Sequence, residues 1–146
     1  MRKKVFLILL IIIIAMQFYR PAKNIASETP ATDFLVVNHA PEDISKMIRG
    51  ACYDCHSNNT AYPWYAEVAP VSWWIASHVE EGKEHLNFST WSDYDDKRKA
   101  KKLDHIDEAL TKRFMPMKVY IPMHPEAKLS DEQIKTLTDW VKSLEN

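Results

Sequence analysis

Glycine is scarce in this chain, and its scarcity constrains the fold more than any other feature. The 146 residues include only 2 glycines but 8 prolines. Tight turns between strands depend on glycine for backbone conformations that other residues resist, whereas prolines end helices and stiffen the loops between them. We therefore predict an all-α domain whose helices are joined by long loops.

The N-terminus has the pattern of a membrane signal. Basic residues occupy positions 2–4 and precede an uninterrupted apolar run at 5–16. A run of this length suits either a short membrane anchor or the h-region of a secretory signal. The residues that follow it lack the small side chains that a cleavage site requires, which favours an uncleaved anchor. We predict that residues 5–19 form a transmembrane or signal-anchor helix in contact with membrane lipid.

Charges around this run predict its orientation. More basic residues precede the run than follow it, so the positive-inside rule places the N-terminus in the cytosol. Residues 20–33 are polar and rich in Pro, Ala, Ser and Thr, which is typical of a tether. We predict a single-pass protein of the cytoplasmic membrane whose domain, residues 34–146, faces the periplasm. The net charge of −1 gives no indication of nucleic-acid binding.

The only two cysteines lie in one cluster, Cys52-Tyr53-Asp54-Cys55-His56. Two thiols separated by two residues on a turning chain can both reach the vinyl groups of a porphyrin, and the adjacent imidazole can then bind the iron. This spacing is the attachment signature of c-type haem, and imidazole is a usual haem ligand. We predict one haem c, bound covalently by Cys52 and Cys55, with His56 as the proximal axial ligand.

Other interpretations of the cysteine pair stay open. A disulfide in a haem-free structural domain would use the same thiols. A thioredoxin-like redox pair is expected at a strand-to-helix junction, whereas here a helix is predicted before the pair. A zinc site needs two more ligands, and His78 and His85 are spaced too widely for the usual finger pattern.

Capping residues and apolar spacing predict four helices in the domain. The first leads into the cysteine cluster and ends at Gly50 as a left-handed C-cap. The second covers about 71–85, and the third has Ser92 as its N-cap. The last helix begins at a capping box made by Ser130 and Gln133.

A proline-rich loop before the last helix contains candidate distal ligands for the iron. Met115 precedes Pro116, and we predict its thioether as the distal axial ligand. Met117, Met123 and His124 lie in the same loop and are the alternatives. Without the cysteine cluster, Met115 would be interpreted as a methionine filling a gap in the core.

At this point the chain resembles a small cytochrome c, with a helix, Cys-x-x-Cys-His, intervening helices, a Met-Pro loop and a last helix. It resembles more closely the family of bacterial haem-binding domain proteins. That resemblance is carried by the segment from Cys52 to Trp91, the Met-Pro loop and the helix start at Leu129. It implies a cytochrome c-like fold and membrane anchoring, but no particular biochemical role, because the family is known largely by its motif.

One-electron transfer to an unidentified redox protein is the function that we predict, rather than enzymatic turnover. Histidine–methionine ligation saturates the iron and so disfavours chemistry on an added ligand. A haem sensor or a peroxidase-like site with an open sixth position is the alternative.

The remaining polar and aromatic residues receive simpler predictions. His78 and His85 are interpreted as polar helix positions, and His105 as a surface residue. The basic run at 97–102 is interpreted as a solvated helix face. Aromatic residues bury large areas, so we expect most of those in the domain to form the core and a wall for the haem. They are Tyr62, Trp64, Tyr65, Trp73, Trp74, Phe88 and Trp91.

Overall fold

In the computed structural model, which describes residues 1–145, the chain folds into helices joined by loops. Among these residues, extended pairing is limited to an isolated bridge between Ile25 and Asn59, so the all-α prediction is confirmed. The helices are α1 (Arg2–Met16), α2 (Phe34–Val37), α3 (Glu42–Ile48), α4 (Asp54–His56), α5 (Val71–His85), α6 (Asp96–Thr111) and α7 (Asp131–Ser143). A π-helical turn, Arg49–Tyr53, joins α3 to α4. Short 3₁₀ turns lie at Trp64–Glu67, Phe88–Asp93, Ile121–Met123 and Pro125–Ala127.

The predicted transmembrane helix at the N-terminus is wrong. The apolar run forms α1, which has 15 residues and ends at Met16, three residues before the predicted end. At a rise of about 1.5 Å per residue α1 is roughly 22 Å long, whereas the hydrocarbon core of a bilayer is about 30 Å thick. Within residues 1–145, no helix combines the length and the apolar character that crossing a membrane requires.

The chain that follows α1 lies along the domain. We call residues 17–25 the strap. At its start, the side-chain amide of Gln17 donates to the Ala69 carbonyl at 3.2 Å and accepts from the Ala69 N–H at 3.0 Å. Near its end, Asn24 Nδ2 donates to the Ser57 carbonyl at 2.8 Å. Part of the segment that we predicted as a tether is therefore hydrogen-bonded to the domain.

An aromatic cluster around Phe34 forms the centre of the core. Phe34 lies on α2, a helix that the sequence analysis did not predict, and Asp33 caps that helix. The Phe34 ring is completely buried, and its centroid lies 5.0, 4.6 and 5.4 Å from those of Phe88, Trp91 and Trp140. Edge-to-face and tilted contacts of this kind stabilise beyond the area that they bury. The cluster holds α2 and α7 on the same core.

The cysteine cluster lies in a helical segment that continues without a break from α3 through the π turn into α4. The prediction of a left-handed cap at Gly50 is wrong, because Gly50 lies inside the π turn and no glycine has a positive φ. Gly50 instead faces the loop before α7, where an added Cβ would lie 3.5 Å from the Glu126 carbonyl oxygen. Inserted π turns are frequent at functional sites.

The bounds of the later helices follow mostly from local signals. The structure confirms α5 at the predicted residues and the capping box of Ser130 and Gln133 at the start of α7. The N-cap of α6 is Asp95 rather than Ser92, and its carboxylate accepts from the Arg98 N–H at 2.8 Å. Ser92 is part of a preceding 3₁₀ turn. Its own N–H donates to the carbonyl of Thr32 at 3.2 Å.

Candidate functional site

A cavity of about 850 Å³ lies between α5, α6 and the cysteine cluster. Pockets that bind small molecules and cofactors usually have volumes of about 300–1,000 Å³. The cavity is lined by Cys52, Cys55 and His56 from the cluster and by Met115 and Met117 from the loop after α6. Five of the seven residues predicted for the haem site, distant in sequence, are thus brought together around one cavity.

The other two predicted alternatives do not line this cavity. Met123 has 56% of its surface exposed to solvent. His124 is buried, and its ring is stacked on that of Tyr120 with centroids 3.9 Å apart. Its Nε2 is bonded to the Tyr65 hydroxyl at 2.6 Å. The structure therefore separates Met123 and His124 from the cluster, although sequence alone placed them in the same loop as Met115.

Both cysteines are free thiols in a protected environment. Burial raises the pKa of Cys52 to about 12, with a further contribution from the charge of Cys55. Burial, together with the charge of Asp54, raises the pKa of Cys55 to about 11. Reactive redox cysteines have a lowered pKa, so this pair does not have the environment of a thioredoxin-like site. Among residues 1–145, no group of three or more His, Cys, Asp or Glu side chains is arranged to hold a metal ion.

The imidazole of His56 is oriented by two backbone carbonyls of α5 and the residue after it. Its Nδ1 lies 2.8 Å from the Gly82 oxygen and 3.0 Å from the Leu86 oxygen. Because both partners are acceptors, Nδ1 carries the proton and Nε2 keeps a free lone pair. Burial lowers the pKa of His56, and the two carbonyl contacts oppose that shift only in part. A neutral imidazole with a fixed Nδ1–H is the form that binds a metal through Nε2.

Gly82 is a site residue that the sequence analysis missed. A Cβ added at Gly82 would lie 2.5 Å from the carbonyl oxygen of Cys55, which is closer than real Cβ atoms approach. The absence of a side chain lets α5 approach α4 closely enough for the Gly82 carbonyl to reach His56. One available signal was that Gly82 is one of two glycines and lies in the middle of a helical pattern, where glycine is unfavourable.

The lining of the cavity is apolar in one part and charged in another. Apolar side chains come from α6, the loop after it and the segment after α5: Leu86, Phe88, Ile106, Leu110 and Phe114. The cations are Arg98, Lys101 and Lys102 of α6, and the same cavity is also lined by carboxylate residues, Asp54, Glu81, Glu84 and Glu108. Burial, followed by the neighbouring charges of Arg98 and Lys101, lowers the pKa of Lys102. An amphipathic ligand with an apolar body and carboxylate groups matches this division.

The lining of the cavity corrects several predictions made for the histidines, the basic run and the aromatic residues. His78, His85 and His105 all line the cavity instead of lying only on outer helix faces. Part of the basic run also lines the cavity, so it is not simply a solvated face. Of the aromatic residues expected as core and haem wall, only Phe88 lines the cavity, and Trp64 has 76% of its surface exposed.

The residues present fit a c-type haem. The thiols and imidazole that the motif requires line one cavity, the imidazole is held in the metal-binding tautomer, and a thioether lines the same space. Porphyrin is a largely apolar macrocycle with two carboxylates, and the apolar lining and the cations of α6 suit both parts. The donor set of nitrogen and thioether sulfur is one that haem iron accepts.

Comparison with known proteins gives one match. The sequence model of a protein family described as "Haem-binding domain" matches residues 11–143, most of the chain. No curated protein and no solved structure matches the chain significantly.

Proposed function

Because the chain belongs to the haem-binding domain family, we propose that its haem is a single covalently attached haem c and that it serves in one-electron transfer. The observation that carries this proposal is the convergence of Cys52, Cys55, His56 and Met115 on one cavity. These residues span more than 60 positions of the sequence, and a purely structural explanation would not require them to share a space.

Covalent attachment would use the two thiols. Each thiol adds across one vinyl group: the sulfur bonds to one vinyl carbon and the thiol proton is transferred to the other. No electrons are gained or lost overall, so no oxidant is required. The buried, protonated state of Cys52 and Cys55 keeps them from forming a reactive thiolate pair before attachment. The haem, once bound, supplies an iron that takes up and releases one electron.

Axial ligation would use His56 on one side and Met115 on the other. The Nδ1–H of His56 is fixed by the carbonyls of Gly82 and Leu86, which fixes the ring orientation and increases the basicity of Nε2. A methionine ligand with a histidine raises the reduction potential of a haem, and a six-coordinate iron favours electron transfer over ligand chemistry. Met117 lines the same cavity and is the alternative donor.

The cationic side of the cavity would take the haem carboxylates. Arg98, Lys101 and Lys102 belong to successive turns of α6 and line the cavity. Guanidinium and ammonium groups form charge-assisted hydrogen bonds with carboxylates. This contact would set which edge of the haem faces solvent.

Export of the domain is part of the proposal. Basic residues at 2–4 followed by an apolar run are typical of a secretory signal. Covalent haem attachment in known c-type systems takes place outside the cytoplasm, so an export signal and the cysteine cluster support each other. The electron-transfer partner would then be another extracytoplasmic redox protein.

Covalent attachment is tested by expressing the chain in a host with haem-attachment machinery. We expect a haem-stained band on a denaturing gel, a pyridine haemochrome spectrum, and an intact mass increased by one haem. Cys52→Ala with Cys55→Ala should abolish the stained band. A colourless wild-type protein with no added mass from such a host would contradict the proposal.

The distal ligand is tested with Met115→Ala, using Met117→Ala as the matched control. We expect Met115→Ala to remove the spectral signature of methionine ligation and to lower the reduction potential, within the range of about 0.8 V that axial ligands span. Met117→Ala should leave both unchanged. An unchanged spectrum and potential in Met115→Ala would exclude Met115 as the ligand. A change in Met117→Ala would then identify Met117 as the ligand, and no change in either variant would favour the open-site alternative, a sensor or a peroxidase-like haem.

A further inference from the structure

Beside the cavity, a carboxylate, an imidazole and a phenol form a hydrogen-bonded chain. Glu126 Oε1 lies 3.0 Å from His124 Nδ1, and the Tyr65 hydroxyl lies 2.6 Å from His124 Nε2. His124 is 9% exposed, so the imidazole lies almost wholly within the protein. None of these three residues lines the cavity, and the proposed electron-transfer role does not use them.

The partners determine where the protons lie in this chain. A carboxylate can only accept, so His124 Nδ1 carries a proton and donates it to Glu126. His124 Nε2 is then the acceptor for the Tyr65 hydroxyl. The imidazole of His124 is thus a base in contact with the phenolic proton of Tyr65. The Glu126 carboxylate stabilises the imidazolium that would form on His124 after proton transfer.

Aromatic contacts extend this chain in two directions. Towards the cavity, the His124 ring is stacked on Tyr120, with centroids 3.9 Å apart and planes 8° apart, and Tyr120 lines the cavity. Towards solvent, the Tyr65 ring meets Trp64 edge-on at 5.8 Å, and Trp64 is 76% exposed. Close contacts therefore connect the cavity to the surface through Tyr120, His124, Tyr65 and Trp64.

We propose that this set of residues, which we call the aromatic relay, carries oxidising equivalents from the haem to the protein surface, with Tyr65 as the residue that is oxidised. The inference rests on the proposed haem site and requires that peroxide displace the Met115 thioether, because a six-coordinate iron does not react with an added ligand. It adds to that site a redox-active tyrosine and a surface exit at Trp64, where an external one-electron reductant would deliver its electron.

The step balances in electrons and protons when hydrogen peroxide is the oxidant. Peroxide withdraws two electrons from the haem protein and, with two protons, leaves as two water molecules on complete reduction. Tyr65 would return one of these electrons to the haem by way of Tyr120 and His124 and, once it has itself been re-reduced, would return the second electron in the same way, so that two electrons from the external reductant restore the protein. Its phenolic proton passes to His124 Nε2, and a neutral phenoxyl radical remains. An electron from a reductant at Trp64, with return of the proton, restores the phenol.

Tyr65 is better suited to this role than the tyrosine nearer the cavity. The Tyr120 hydroxyl donates at 2.6 Å to Asp54 Oδ2, a carboxylate, which is a weaker base than imidazole. Burial, and then the hydrogen bond to Asp54, raise the pKa of Tyr120 far above its usual range. Burial raises the pKa of Tyr65 as well, but the partner of its hydroxyl is an imidazole rather than a carboxylate, so its proton has a stronger base to move to.

The test uses the haem-loaded chain, with attachment first verified by pyridine haemochrome and mass. One equivalent of hydrogen peroxide is added, the sample is freeze-quenched, and the tyrosyl radical is quantified by electron paramagnetic resonance. We expect Tyr65→Phe to lower the radical yield at least fivefold. His124→Gln, which keeps a polar side chain but cannot take the proton, should lower it similarly. Tyr19→Phe is the matched control and should match wild type, because Tyr19 lies outside the relay.

A second arm tests the tyrosine without haem. The haem-free chain is photo-oxidised with a ruthenium polypyridyl sensitiser, and the phenoxyl transient is followed in wild type and in the Tyr65→Phe and Tyr19→Phe variants. We expect most of the transient to be lost only in Tyr65→Phe. A haem-loaded Tyr65→Phe variant with the full radical yield would overturn the relay, as would a haem-free transient that does not depend on Tyr65. A chain that takes up no haem contradicts the proposed function itself, which the attachment check reports separately.

Discussion

Tyr53, the residue after the first cysteine, connects the cysteine cluster to the core behind it. Its hydroxyl donates to Asp33 Oδ1 at 2.8 Å, and Asp33 is 1% exposed. The other carboxylate oxygen of Asp33 is buried and has no hydrogen-bond partner among the described residues. Burial, followed by the charge of Asp33 and the hydrogen bond to it, raises the pKa of Tyr53 far above its usual range.

Because folding raises the pKa of Tyr53, we expect the folded state to lose stability at alkaline pH. In the unfolded chain Tyr53 ionises near its ordinary pKa of 10.0, whereas in the folded chain it keeps its proton. The folded state then binds more protons than the unfolded state, so the free energy of unfolding falls as pH rises above about 10. We expect urea unfolding of the haem-free chain to show this slope, and Tyr53→Phe to reduce it.

Tyr53→Phe should also destabilise the chain at neutral pH, where Tyr53 is protonated in both states. The change removes the Tyr53 hydroxyl from the buried Asp33 Oδ1, which keeps only the Leu35 N–H, and the loss of a hydrogen bond to a charged group costs about 1.5–3 kcal/mol. Tyr19→Phe, at an exposed position, serves as the control and should change neither quantity. An alkaline slope equal to that of wild type in Tyr53→Phe would contradict this account.

At the scale of single residues, the sequence predicts functions that depend on local spacing and misses those that depend on tertiary contact. Cys52, Cys55 and His56 could be proposed from sequence as haem-attachment residues because that chemistry needs a fixed separation along the chain. The distal ligand could not be chosen from the sequence among the candidate residues of the loop after α6, because the choice depends on how that loop folds over the cavity. Gly82 was missed for the same reason: its role depends on Cys55, which lies 27 positions earlier.

The approach of α5 to α4 is the helix contact on which the site depends most. The Gly82 carbonyl receives the Nδ1–H of His56 at 2.8 Å, and an added Cβ at Gly82 would lie 2.5 Å from the Cys55 oxygen. The clashing atom belongs to the backbone, so it cannot move aside as a flexible side chain would. Any residue larger than glycine must push the two helices apart.

Gly82→Ala should therefore destabilise the chain although alanine is the better helix former. We expect a loss of about 1–3 kcal/mol in the free energy of unfolding, as for other overpacked sites. In the haem-loaded protein we expect a lower reduction potential or a changed spectrum, because the orienting bond to His56 is disturbed. Denaturant unfolding measures the loss of stability, and redox titration measures the change in reduction potential.

Gly50→Ala is the matched control, since it makes the same change at the chain's other glycine. The nearest atom to its added Cβ is 3.5 Å away, an ordinary contact. Gly50→Ala should leave stability unchanged or raise it by up to about 1 kcal/mol. Equal losses in the two variants would show that general helix effects, rather than the clash with Cys55, explain the result.

At the scale of helices, elements with local capping signals were predictable and the others were not. The capping box of α7 and the bounds of α5 follow from neighbouring residues. The continuation of the helix through Gly50 was not visible, because glycine near a helix end more often marks a cap. The helix α2 was also not predictable from the sequence, because its four residues are held in place by burial of Phe34 against aromatic residues far along the chain.

At the scale of the whole molecule, the strap joins the N-terminal segment to the part of the domain that contains the cysteine cluster. Asn24 has the largest share of these contacts. Its side chain donates to Ser57 and to Thr60 Oγ1 and accepts from Lys83 Nζ at 2.7 Å, and its backbone bonds to Thr60. The proposed division into a tether, 20–33, and a domain, 34–146, stays a prediction.

Asn24→Ala should lower the stability of the domain. It removes three side-chain hydrogen bonds in a partly buried region, and we expect a loss of about 1–3 kcal/mol in urea unfolding. Lys23→Ala is the control, because Lys23 makes an exposed ion pair with Glu67 and a cation–π contact 5.5 Å from the centre of the Tyr62 ring, and such contacts contribute about 0–1 kcal/mol each. If Asn24→Ala were no more destabilising than Lys23→Ala, the strap would not stabilise the domain.

The position of Asn24 gives the strap a mechanical consequence. It bonds to the carbonyl of Ser57, the residue directly after His56, while Gln17 at the other end of the strap is bonded to Ala69 just before α5. A tensile load applied to α1 would act first on the two hydrogen bonds between Gln17 and Ala69. It would act on the hydrogen bonds of Asn24 to Ser57 and Thr60 only after the bonds to Ala69 had ruptured. Stretching the N-terminus gently should thus leave the colour of the haem unaltered, and a stronger pull should perturb it.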